Sequence, residues 1–131
     1  MNYVYAEGST KRKRQLAEDV VNFCISELMP RMKTLVVGVQ LSNNLAPHQY
    51  GYCCAIDTRE FEIEINAKMS DDDIITSIAH EMVHVKQYAR KELGINDKSN
   101  YQYYEEYLNL WYEKEARELE VFLREKYKSL I

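Results

Sequence analysis

His80 and His84 stand four residues apart in SIAHEMVHVKQYARKEL, residues 77–93, with Glu81 directly after the first. On a helix turning about 100° per residue the two imidazoles lie about 40° apart, so both can converge on one point. Two imidazoles so placed can begin a divalent-metal site. Glu81, rotated about 100° from His80, suits a residue acting on a water rather than a ligand. Ile75, Ile78, Ala79, Met82, Val85 and Ala89 occupy the opposite arc. The histidines therefore leave the main apolar stripe and share their side with Ser77, Gln87 and Lys91.

A catalytic zinc needs a third protein ligand and an open fourth position. No histidine follows His84, and Cys24, Cys53 and Cys54 all lie upstream. Arg90 occupies the position of the further histidine in H-E-x-x-H-x-x-G-x-x-H, and Gln87 replaces its glycine. The remaining donors are carboxylates of YLNLWYEKEARELEVFL, residues 107–123: Glu113, Glu115, Glu118 and Glu120. Tyr104, Leu108, Trp111, Leu119 and Phe122 recur at three- and four-residue steps, and Glu115 sits within that stripe. A carboxylate buried there costs on the order of several kcal/mol unless it is paired or metal-bound. Glu115 is the expected third ligand. Glu118, on the flank where it could hydrogen-bond a ligand histidine, and Glu113 are the alternatives.

The elements that must position these residues read as α+β. Thr10 caps a helix running to about Met29, stopped by Pro30. Three strands follow, over 34–42, 50–57 and 61–67, in a mostly antiparallel sheet, the last two forming a hairpin through Thr58, Arg59 and Glu60. Ser70 and Asp73 form a capping box for the histidine helix, which is expected to end near Leu93 with Gly94 as its left-handed cap. Ser99 and Gln102 suggest a last long helix, carrying the third ligand, to about Lys126.

H-E-x-x-H followed on the next helix by E-x-E-A, here HEMVH and EKEA (Glu113 to Ala116), resembles the small gluzincin metallopeptidase domains, including minimal ones of bacteria and their phages. The resemblance covers roughly residues 60–120, and Trp111-Tyr112 stands where relatives commonly show Pro-Trp. In that pattern the glutamate just before the alanine, Glu115 here, is the third ligand. The outline is also similar to SprT-like domains, which carry a downstream third histidine that this chain lacks. The resemblance implies one zincin-like domain over residues 1–131, one Zn²⁺ on His80, His84 and Glu115, and Glu81 as the general base of peptide-bond hydrolysis. It also implies that a peptide or protein substrate joins the sheet as an added strand, expected beside Phe61–Ala67. Tyr104, Tyr107, Tyr112 and His48 are candidate donors to the oxyanion of the transition state. Two imidazoles and a carboxylate also suit Fe²⁺, Co²⁺ or Mn²⁺. Rival readings are a zinc-binding regulatory or interaction domain without proteolysis, and a metal-free interaction domain.

Composition sets the outer limits. The 131 residues, 46% hydrophobic and 29% charged, fit one globular domain. A net charge of -4 argues against general nucleic-acid binding despite KRKR at residues 11–14, which reads as a solvated first helical turn. Three cysteines, two of them adjacent, are no disulfide framework. Without a leader or an apolar span, the expected location is the cytoplasm, with no membrane partner.

Overall fold

A computed structural model describes residues 1–94 and 110–131. The described elements run β1 (Tyr3–Glu7), α1 (Lys11–Leu28), β2 (Val36–Ser42), β3 (Gly51–Asp57), β4 (Glu60–Asn66), α2 (Asp71–Ala89) and α3 (Trp111–Ser129). The class is α+β as expected. The expected start of the last helix near Ser99 lies outside the described residues.

The sheet has four strands rather than three, in the order β1-β2-β4-β3, and it is mixed. β1 pairs parallel with β2, β2 parallel with β4, and only β3 runs antiparallel, as the hairpin partner of β4. β1 is missing from the sequence reading because Tyr3–Glu7 is only five residues long, although Tyr and Val favour strands. Only the register Tyr3↔Val36 to Glu7↔Gln40 makes it a strand. Val37, Val39, Leu41, Phe61, Ile63 and Ile65 alternate onto one buried face, covered by α1 and α2. Glu60, Glu62 and Glu64 point to the other face, where Tyr5 donates to Glu62 and Tyr52 to Glu64.

Local signals set both helix starts. Thr10 Oγ1 accepts from Lys13 N, and Ser70 Oγ accepts from Asp73 N. The KRKR run is more engaged than a solvated turn. Arg12 pairs with Asp71 at 2.6 Å, Lys13 donates to the Ala67 carbonyl, and Arg14 to those of Gly8 and Ser9. These contacts fasten the start of α1 to the start of α2 and to the end of β1.

α2 stops at Ala89, four residues before the expected Leu93, and the left-handed residue is Lys91 (φ 60°) rather than Gly94. Lys91 N donates to the Tyr88 carbonyl and Glu92 N to that of Gln87, the double bond of a Schellman turn. The turn then buries Leu93.

Candidate metal centre

α2 is buried on more than its apolar arc. Ser77, Glu81, His84 and Gln87 are also buried, because α3 packs over the histidine side. The buried face of α3 is Tyr112, Glu113, Ala116, Leu123 and Tyr127. The stripe expected from the sequence is displaced from it by about one residue, or 100°. Trp111 and Phe122, two of that stripe, are 50% and 55% exposed. The steps 112, 116, 119, 123 and 127 were also legible in the sequence, but large aromatic residues on the neighbouring arc outweighed Tyr112 and Ala116.

This rotation decides which carboxylate meets the histidines. Glu113 Oε1 lies 3.0 Å from His84 Nε2, and Glu113 Oε2 lies 3.1 Å from His80 Nε2. One ligand atom from each of the three residues lies within 4.8 Å of the others, so the group could hold a metal ion. Glu115 points elsewhere. Its Oε1 accepts from Lys86 Nζ and from Gln87 Nε2, each at 3.0 Å. Against the expectation, Glu113 stands where Glu115 was placed, and Glu115 braces the end of α2. Glu118 is exposed.

Two imidazoles and a carboxylate are a donor set that suits a divalent cation. Without one, the nitrogen–oxygen separations of 3.0 and 3.1 Å are hydrogen-bond distances. His80 is flanked by carboxylates on both nitrogens, with Glu120 Oε2 3.4 Å from Nδ1. A neutral imidazole has only one N–H, so one of these contacts needs a second proton or a cation. Burial alone would lower the His80 pKa, but hydrogen bonds to Glu113 and Glu120 push it up to about 10. Burial would raise Glu113, yet its bonds to both histidines hold it well below the usual carboxylate range.

Glu81, His80 and Glu113 open onto a cleft of about 560 Å³, lined also by His48, Tyr50 and Gly51, by Thr76 and Ser77 of α2 and by Arg117 and Glu120 of α3. Of the candidate oxyanion donors, His48 lines this cleft. Tyr112 is buried with its ring edge-on to His84, centroids 6.1 Å apart, and Tyr104 and Tyr107 lie outside the described residues. The sequence reading did not name Arg117 as a site residue, and it named Glu120 only as one of four possible donors. Their spacing of four and seven residues from Glu113 puts them on its face once Glu113 is the anchor.

Phe61–Ala67, expected to be the edge strand beside the histidine helix, falls largely in β4, which is an inner strand. β4 is hydrogen-bonded on both sides, by β2 and β3, and has no free edge. The edge nearest the cleft belongs to β3, whose first residue, Gly51, lines it. Among the described residues no helix is long and apolar enough to cross a membrane.

No family model, curated protein or solved structure matches this chain.

Proposed function

We propose that this chain is a zinc-dependent metallopeptidase in which His80, His84 and Glu113 hold the metal and Glu81 is the general base. The observation that carries this reading is the convergence of three donors from α2 and α3, two of which, His80 and Glu113, line an open cleft that Glu81 also lines. A zinc ion there would supply Lewis acidity, polarising a carbonyl and acidifying water. Glu81 takes the proton from the attacking water and delivers it to the leaving amine as the carbon–nitrogen bond breaks. Glu120 holds His80 through Nδ1, and Glu113 bridges the two imidazoles. A peptide pairing with the outer edge of β3 would start at Gly51, on the wall of the cleft.

The test compares zinc-loaded wild type with Glu81→Gln on a mixed peptide library, read by mass spectrometry. Cleavage by the wild type that falls by roughly 100-fold or more in a variant retaining its zinc supports the reading. Zinc-loaded wild type with no cleavage would overturn the peptidase and leave a zinc-binding interaction domain.

A further inference from the structure

Gln87 is fully buried and uses every polar atom of its side chain. Its Nε2 lies 3.0 Å from the Tyr112 carbonyl oxygen and 3.0 Å from Glu115 Oε1. Both partners only accept, so this end of the amide must be the NH₂ and its orientation is settled. The other end, Oε1, lies 2.8 Å from His84 Nδ1. An amide oxygen cannot donate, so Nδ1 carries a proton, which leaves Nε2, 3.0 Å from Glu113 Oε1, as the nitrogen that would ligate a cation.

The same side chain grips the other ligand. Tyr112 immediately precedes Glu113, so the bond from Gln87 to the Tyr112 carbonyl pins the backbone from which the third carboxylate projects. The main chain of Gln87 is held in turn, its carbonyl accepting from Glu92 N and Leu93 N where α2 ends. Lys86, its neighbour, steadies Glu115 from the far side.

We infer that Gln87 is the positioning residue of this centre, holding His84 through its Nδ1–H and the Glu113 backbone through the same amide. The affinity part rests on the metal-site reading of the preceding section. The Nδ1–H hydrogen bond does not.

Gln87→Met keeps the bulk and removes all three hydrogen bonds. Zinc affinity, measured by competition with a chromophoric chelator, is expected to fall roughly ten- to a hundred-fold. In ¹H–¹⁵N imidazole spectra of the metal-free protein, wild type is expected to show a His84 Nδ1–H protected from solvent exchange and Gln87→Met to lose that protection. Gln87→Glu can still accept from Nδ1 and is expected to keep it, which keeps the inference testable should Gln87→Met fail to fold. Unchanged affinity and Nδ1–H protection in Gln87→Met, or a wild-type His84 without a protected Nδ1–H, would overturn the inference. Wild type that takes up no zinc but shows the Gln87-dependent Nδ1–H would remove the metal reading alone.

Discussion

Glu113 reaches His84 across 29 positions of sequence, Oε1 to Nε2 at 3.0 Å, although Glu115 two residues later is the one set in the apolar pattern of the sequence. Both partners are almost wholly buried, with side chains 2% and 3% exposed. A buried carboxylate between two imidazoles is stable only with compensating charge, whether protons or a cation.

Exchange of the two glutamates distinguishes their roles. Glu113→Ala is expected to leave less than about a tenth of the wild-type zinc after dialysis against a weak chelator. Glu115→Ala, which loses contacts to Lys86 and Gln87, should retain about one zinc per chain with affinity lowered roughly tenfold. Elemental analysis of both proteins checks this, and the reverse ranking would return Glu115 to the ligand set.

In metal-free protein the same pairs make stability depend on pH. His80 is raised from 6.5 to about 10, so its contribution is complete below pH 6.5 and lost as pH rises through about 10. Glu113 is lowered from 4.5, so its contribution is present above that value and fades as pH falls toward its folded pKa. Urea midpoints of chelator-treated protein should therefore be highest between about pH 4.5 and 6.5 and fall toward pH 10, with a shallower alkaline fall in Glu113→Gln. A midpoint unchanged from pH 7 to 10 contradicts the pairing.

The end of α2 offers a stabilising substitution. Lys91 holds φ at 60°, where a side chain is strained and glycine is not. Lys91→Gly should raise unfolding free energy by about 1 kcal/mol in urea titrations, with zinc affinity unchanged. A loss of stability would mean that the Schellman geometry is not held in solution.

Gly8 gives the opposite sign. Its φ is +87°, and an added Cβ would strike the Leu41 carbonyl, a backbone atom that cannot swing away. Gly8→Ala is expected to cost about 2 kcal/mol, read as a lowered urea midpoint, because it forces β1 from its place beside β2. A neutral effect would argue against the parallel pairing of β1.

Sequence alone determined what is local. The starts of α1 and α2 follow from Thr10 and Ser70, whose hydroxyls meet amides three residues on. The β3–β4 hairpin follows from alternation broken by a short turn, and the histidine pair from the helical repeat. Tertiary structure decided what depends on distant partners. β1 exists only because β2 offers it an edge, and β4 lies inside the sheet because parallel pairing with β2 closes its other side. The end of α2 was settled by a backbone turn closing on Gln87 rather than by the glycine that follows. The third carboxylate depended on the rotation of α3 about its axis, since one-residue shifts of an amphipathic stripe differ little in hydrophobicity. Docking against α2 buries Ala116 and Leu123, and that rotation turns Glu113 inward and leaves Glu115 to Lys86 and Gln87.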